Sequence, residues 1–319
     1  MNFEDRFRLS GNKRWDRRQF LASLGAGSAS LLAGAGIAKA VEPFARKGKP
    51  SLQLGLAAYS FRKYFGSMRG KPQKVEDGKE ITMSDFIDYC ADHGVGAELT
   101  SYFFPAEPGE DYWPSIRRHA FLRGVPICGT AVGNNFTNPD KDGWDKQVAD
   151  VKLWIDRAAL FGAPHIRVFA GNLQGGTTME QAKKLCIKAL EECGDYAGKK
   201  GIFLGIENHG GIVAEADDLV DIVKSVKSQW VGINLDTGNF RTEDPYGDLA
   251  KCAPWAVNVQ VKIEMKPKGK EVEEADFEKL TKILRDANYQ GFVVLEYESA
   301  NPWEEVPTYL EELGKAIAS

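Results

Sequence analysis

Histidine is scarce in this chain, four residues in 319, and none of its five cysteines (Cys90, Cys128, Cys186, Cys193, Cys252) forms a C-x-x-C pair. An odd cysteine count cannot pair completely within one chain, which argues against a disulfide framework. Cys186 and Cys193 stand seven apart on a helical pattern, hence on one face, and read as core packing. Net positive charge is also missing: 41 Lys and Arg against 45 Asp and Glu give a formal charge of -4, a poor balance for binding polyanions such as nucleic acid. No strongly apolar run of membrane-spanning length is present either. The most apolar stretch, Leu21 to Ile37, is interrupted by Gly25, Gly27, Ser28, Ser30 and Gly34, and a bilayer span asks for about 20 predominantly apolar residues.

What that stretch does have is context. Arg17 and Arg18 stand directly before Gln19-Phe20-Leu21, and the run ends at Ala38-Lys39-Ala40, a small-x-small pattern. Residues 1–40 resemble a twin-arginine signal peptide, which implies export through the twin-arginine translocation (Tat) machinery to the periplasm or beyond. Such substrates fold before export, so free buried thiols are no contradiction. Removing these residues takes away seven of the 41 basic and three of the 45 acidic side chains, leaving 34 against 42 and a formal charge of -8 for residues 41–319. That remainder is long enough for one large α/β domain.

From Leu52 onward, short apolar runs alternate with stretches of helical period, the rhythm of parallel βα units. The strand candidates are Leu52–Ala58, Gly96–Leu99, Pro126–Val132, His165–Phe169, Phe203–Glu207, Trp230–Asp236, Ala256–Val261 and Phe292–Glu296. Helical patterns follow each: Met83–His93, Tyr112–Arg123, Trp144–Phe161, Thr178–Lys199, Ala216–Lys227, Pro245–Lys251, Asp276–Ala287 and Trp303–Ala318. Eight such units predict a single-domain (β/α)8 TIM barrel over residues 41–319, a fold of about 250 residues; a doubly wound sheet is the alternative. Within this rhythm Asp244-Pro245-Tyr246-Gly247 reads more like a turn than a helix start. Residues 62–80 and 264–275 are insertions after strands, read either as solvated loops or as a lid over the barrel mouth.

Polar residues gather at the strand ends. The fifth strand ends Glu207-Asn208-His209-Gly210-Gly211, the sixth Asn234-Leu235-Asp236-Thr237-Gly238-Asn239, and the eighth Leu295-Glu296-Tyr297-Glu298. A carboxylate placed directly after a buried strand must be paired, hydrogen-bonded or bound to metal. Strand alternation puts Glu296 and Glu298 on one side and Tyr297 on the other. Three carboxylates at one mouth repel each other unless a cation neutralises them, and hard oxygen donors favour Mn²⁺ or Mg²⁺. Tyr59, Glu98, Arg167, His209, Asn239 and Lys262 stand at strand ends suited to holding substrate hydroxyls, while His165 sits at the entry of its strand. Lys262 lies on the same side of the seventh strand as Gln260, where its ammonium can bind a negatively charged oxygen or pair with a carboxylate. His93 and His119 fall on helical patterns and read as surface or core residues. Tyr102-Phe103-Phe104-Pro105 and Trp113 read as core caps or as an apolar wall for a ligand ring, and the stretch from Gly133 to Asn138 offers amides for hydroxyl recognition or ordinary turns.

From Leu54-Gly55-Leu56-Ala57-Ala58-Tyr59-Ser60-Phe61-Arg62 to Glu296, these segments resemble the sugar isomerase/epimerase superfamily of xylose-isomerase-like TIM barrels. The resemblance implies one divalent metal, Mn²⁺ or Mg²⁺ with Zn²⁺ or Co²⁺ as alternatives, held by Glu207, Asp236, position 260 and Glu296. Position 260 departs from the pattern: Gln260 stands where the family has the histidine of a His-x-Lys motif, offering a neutral oxygen in place of a nitrogen. The resemblance further implies that Glu207 and Glu296 remove and return a proton beside a ketose carbonyl. The function expected is isomerisation or epimerisation of a non-phosphorylated sugar or keto-sugar, with elimination from a 3-keto-glycoside as the alternative on the same site. No Gly-rich phosphate cradle with clustered Arg and Lys appears at the seventh and eighth strand ends. Phosphodiester hydrolysis, as in endonuclease relatives on this fold, asks for more histidines and a basic face. A non-catalytic sugar-binding protein with a decayed metal site is a third reading, supported only by Gln260.

Overall fold

Eight parallel strands hydrogen-bond in chain order and close into a barrel in the computed structural model, which describes residues 41–319. The export-signal reading of residues 1–40 lies outside the described residues. The strands are β1 Ser51–Ala57, β2 Gly96–Thr100, β3 Ile127–Ala131, β4 His165–Phe169, β5 Phe203–Glu207, β6 Val231–Asp236, β7 Ala256–Val261 and β8 Gln290–Leu295. The ring closes where β1 pairs on one side with β8 (Leu54 opposite Val293) and on the other with β2 (Leu56 opposite Ala97). The outer helices are α1 Met83–Asp92, α2 Tyr112–Arg123, α3 Lys141–Phe161, α4 Met179–Gly198, α5 Ala216–Ser225, α6 Pro245–Cys252, α7 Phe277–Asp286 and α8 Pro302–Ala318. The fold is therefore the (β/α)8 TIM barrel that the alternation predicts, with element ends displaced by no more than three residues.

Local chemistry explains the helix starts. Thr82 and Thr178 each form a reciprocal capping box, with Asp85 and Gln181 respectively, which satisfies two orphan backbone donors at once. The Asp244-Pro245 start of α6 is a true helix: the Asp244 side chain accepts from the Gly247 N–H and Pro245 occupies the first turn, where its missing N–H costs nothing. The two insertions carry short antiparallel ribbons, Ser67–Met68 with Lys71–Pro72 and Glu264–Met265 with Glu273–Glu274. All five cysteines are buried and unpaired. Burial in apolar surroundings pushes the Cys186 and Cys193 thiols up, so they behave as core side chains.

Two environments follow from strand alternation. Outward-facing residues form one large apolar core with the helices, while Ala57, Cys128 and Val294, packed against Phe292 and Tyr59, form a small separate cluster. The barrel interior also holds His165, almost wholly buried, with neither ring nitrogen hydrogen-bonded. Glycines make room for it: a Cβ at Gly129 or Gly205 would stand 2.7 Å from the imidazole nitrogens. Burial, reinforced by the nearby Arg167 charge, lowers the His165 pKa to about 3.

Unfolded histidine takes up a proton near pH 6.5 while folded His165 stays neutral, so its stabilising contribution is complete above pH 6.5 and is lost as pH falls towards 3. Between pH 6.5 and 5, urea denaturation should show the wild type losing about 2 kcal/mol more than His165→Gln. Parallel stability curves for the two proteins would contradict a buried neutral imidazole.

Candidate active site

On four strands a polar or small residue stands two positions before the one at the mouth: Asn234 before Asp236, Asn258 before Gln260, Gly205 before Glu207 and His165 before Arg167; on β8 the corresponding residue is Val294, before Glu296. Asn234 and Asn258 join Gln260 and Glu98 in a closed ring of hydrogen bonds across the barrel. Gln260 Nε2 donates to Glu98 Oε1 (2.9 Å), Asn234 Nδ2 donates to Gln260 Oε1 (2.6 Å), and Asn258 Nδ2 donates to Asn234 Oδ1 (2.9 Å) and Glu98 Oε2 (3.2 Å). All four side chains are buried. Burial, with repulsion from Glu296, raises the Glu98 carboxyl to about 8. A ring with every member bonded is rigid, because any break strands a buried polar atom.

Above this ring lie the charges. Arg167 Nε approaches Glu207 Oε2 at 2.8 Å, both side chains about 95% buried. The Arg167 Nη1 donates to the Val132 carbonyl (3.2 Å) and to the Tyr102 hydroxyl (3.4 Å). The other Glu207 oxygen accepts from Asn239 Nδ2 at 2.9 Å. Across the mouth, Lys262 Nζ donates to Glu296 Oε2 (2.6 Å) and Glu298 Oε1 (2.8 Å) and lies 3.4 Å from Asp236 Oδ2. Asp236 is fixed by backbone contacts: its N–H donates to Asn208 Oδ1, and its Oδ1 accepts from the Gly238 N–H.

The electrostatics follow from burial. Desolvation raises both Glu207 and Asp236 to about 7, against the pull of Arg167 on the first and of Lys262 on the second. Burial alone would lower the Lys262 ammonium, but Asp236, Glu296 and Glu298 outweigh it and hold the group well above its ordinary value. His209 is half-buried, its ring 4.5 Å from that of Phe169, and burial lowers its pKa, so it is a neutral donor and acceptor at neutral pH. It faces a cavity of about 210 Å³ shared with Asn134 and Asn172. A second cavity, about 170 Å³, is lined by Asn239, Arg241, Lys262 and Glu296.

Among the described residues, no three His, Cys, Asp or Glu side chains are gathered tightly enough to hold an ion as they stand. The donor chemistry nevertheless fits a hard divalent cation. Glu207 Oε2 and Asp236 Oδ2 are buried, and each has a cationic side chain as its neighbour, Arg167 at 2.8 Å and Lys262 at 3.4 Å, without a well-aligned hydrogen bond. Buried anionic oxygens of this kind are what such a cation satisfies. Gln260 requires a correction to its expected place. Its amide is committed to Asn234 and Glu98 in the ring beneath, and Oε1 keeps one lone pair not used by that ring.

The structure thus brings Glu207, Asp236, Glu296, Lys262, Arg167 and Asn239 together. It sets Glu98 and Gln260 one layer lower and places His209 against the neighbouring cavity. Tyr59 stands at the edge, its ring 6.4 Å from Tyr102 and 5.2 Å from the Arg62 guanidinium. Tyr297 points outward, its hydroxyl donating to Glu305, as alternation requires. Sequence reasoning missed Asn234 and Asn258, although an amide two residues before each mouth residue of an apolar strand was the available signal. It also missed Asn208 and the pairing of Arg167 with Glu207.

Residues 87–315 match the family described as xylose isomerase-like TIM barrel, and the chain belongs to that family. No match is found among curated protein sequences. The fold is similar to a xylose isomerase-like TIM barrel protein from Mycobacterium smegmatis solved in complex with magnesium, at 17% identity, 83% coverage of this chain and 96% of that one, and TM-score 0.64. It is also similar to D-psicose 3-epimerase solved in the presence of D-fructose (17% identity, coverage 83% and 97%, TM-score 0.63). A third similar structure is 3-keto-D-glucoside 4-epimerase from E. coli (13% identity, coverage 84% and 100%, TM-score 0.61).

Removing one partner of a buried ion pair strands the other charge. Arg167→Met is expected to cost about 3 kcal/mol in urea denaturation, and the double variant Arg167→Met/Glu207→Leu to regain most of it. Wild-type stability in the single variant would show that Arg167 is not the counter-charge of Glu207.

Proposed function

We propose that the protein is an exported sugar isomerase or epimerase that depends on a divalent metal and moves a proton between Glu207 and Glu296 on a non-phosphorylated sugar or keto-sugar. The observation that carries this reading is a pair of buried carboxylates at one barrel mouth, each against its own cation, with a neutral imidazole beside them. Proton transfer next to a carbonyl needs a base on one side of the carbon and an acid on the other, each with a pKa near the working pH. Glu207, raised by burial, meets the second requirement directly.

In this reading one of the two glutamates removes the proton beside the carbonyl and the other returns one to the opposite face or the neighbouring carbon. Lys262 donates from Nζ to the oxygen on which negative charge develops, and its three acidic contacts keep it protonated for that role. Arg167 holds Glu207 in place and is itself pinned by Val132 and Tyr102. Asn239 holds the second Glu207 oxygen, and His209 receives or donates to a sugar hydroxyl from the neighbouring cavity. A divalent ion, Mn²⁺ or Mg²⁺ by donor hardness, would be held by Glu207, Asp236 and Glu296 with the free lone pair of Gln260 Oε1, and would supply Lewis acidity and fix two substrate oxygens.

The test is incorporation of solvent deuterium into ketoses and 3-keto-glycosides by the protein supplied with Mn²⁺. The wild type is expected to exchange at least one substrate, and Glu207→Gln and Glu296→Gln to lower that rate by about 10²–10⁴. Exchange accompanied by release of the aglycone would assign elimination in place of epimerisation. Saturable sugar binding with no exchange into any substrate would replace the enzyme reading with that of a sugar-binding protein.

A further inference from the structure

Beside the mouth, between the loops after β2 and β3 and the flank of α3, opens a cavity of about 260 Å³ whose walls include Arg69, Arg157, Tyr102, Phe104, Trp154 and Val132. No Asp or Glu lines it. The arginine ion pairs among the described residues belong to Arg123 and Arg167, so neither arginine of this cavity is neutralised by an acid there. Both guanidiniums instead lie on aromatic faces: Arg69 Cζ is 4.2 Å from the Tyr102 ring centroid, and Arg157 Cζ is 4.6 Å from that of Trp154. Stacking uses the face of the guanidinium and leaves its in-plane N–H donors free to form bidentate bonds with an anion.

Arg69 is held in this position at a conformational cost. It is the first residue of the two-residue turn in the Ser67–Met68/Lys71–Pro72 ribbon, and both turn residues are left-handed (Arg69 φ 53°, Gly70 φ 73°). Such turns prefer Asn, Asp or Gly at that first position. The Arg69 N–H donates to the Tyr102 carbonyl at 2.7 Å, which pins the turn to the loop after β2. At Gly133 a Cβ would come within 3.3 Å of both the Tyr102 hydroxyl and Arg69 Cζ, so this close approach of loop and guanidinium depends on the glycine. Arg157 is half-buried, and burial lowers its pKa with no acid to restore it. Arg69 is exposed and Arg157 half-buried, so the in-plane donors of both remain within reach of an incoming anion. The cavity is roomier than a bare oxyanion needs, and its aromatic walls suit the apolar face of a sugar ring. It adjoins the catalytic groups as well, since Tyr102 and Val132 are the partners of Arg167.

We propose that this cavity is a subsite for a sugar unit bearing a carboxylate, with Arg69 and Arg157 forming charge-assisted hydrogen bonds to the two carboxylate oxygens and the aromatic walls flanking the ring. The proposal rests on the reading of the adjacent mouth as a sugar site and narrows its substrate to acidic carbohydrates. A single planar anion matches two stacked guanidinium forks, each able to meet one edge of the group.

The experiment is calorimetric titration of the full chain with D-glucuronate, D-glucose and glucose 6-phosphate. Glucuronate should bind at least tenfold more tightly than glucose, and Arg157→Gln and Arg69→Gln should each weaken glucuronate by tenfold or more while leaving glucose unchanged. Arg157→Lys, which keeps the charge and loses the fork, should fall between. If Arg69→Gln disturbs the strained turn and the fold, the Arg157 pair decides alone. Equal affinity for glucuronate and glucose overturns the proposal. So does glucuronate binding that survives Arg157→Gln and is lost in Lys262→Met, because the ligand then sits at the mouth. Tighter binding of glucose 6-phosphate than of glucuronate overturns the carboxylate assignment in favour of phosphate. Deuterium exchange into a neutral keto-sugar without selective glucuronate binding removes the subsite and leaves the proposed reaction standing. Glucuronate binding without any exchange does the reverse.

Discussion

Three carboxylates buried at the top of a closed barrel are the constraint around which this structure is arranged. Glu207, Asp236 and Glu296 are each at most 5% exposed, and charges so far from water must be compensated locally. The chain meets the requirement with two internal cations on opposite sides, Arg167 against Glu207 and Lys262 against Glu296 and Asp236. Two cations face three buried carboxylates, so the charged layer keeps an excess of anionic oxygen. Burial raises Glu207 and Asp236 to about 7, and the excess of anionic oxygen is what a bound cation would satisfy.

The ring of amides beneath the charges serves the same constraint. Glu98, Gln260, Asn234 and Asn258 satisfy one another and need no water, so the charged layer rests on a polar floor rather than on apolar side chains. Below that floor, His165 and the glycines facing it fill the interior by shape. The sequence of layers from apolar to amide to charge sharpens the fields at the mouth, because low-dielectric surroundings strengthen every interaction above them.

The barrel was legible in the sequence because its signal is periodic and repeated: eight apolar runs, each followed by a helical pattern, leave little freedom in topology. The acids were legible because a charge directly after an apolar strand has few structural explanations. What alternation fixes is the side of a strand on which a residue lies, not its height or partner. Gln260 was accordingly expected among the carboxylates, yet its amide is captured by Asn234 and Glu98 one layer down. Arg167 was read as a hydroxyl holder, whereas β4 pairs it with Gly205 on β5, two residues before Glu207, and its guanidinium meets that carboxylate. The insertion after β1, read as loop or lid, contains a ribbon whose left-handed turn carries Arg69 to the face of Tyr102, a long-range contact without local sequence signature.

We propose that the buried carboxylates of Glu207, Asp236 and Glu296 make this mouth a divalent-cation site. Calorimetric titration of the metal-free protein with Mn²⁺ tests it most directly, alongside Asp236→Asn with its fold verified by circular dichroism. One ion is expected to bind per chain and to be displaced by Mg²⁺, with binding lost in the folded variant. Absence of Mn²⁺ binding to the wild type at millimolar concentration, or undiminished binding to Asp236→Asn, would contradict it and leave Arg167 and Lys262 as the only cations of the site.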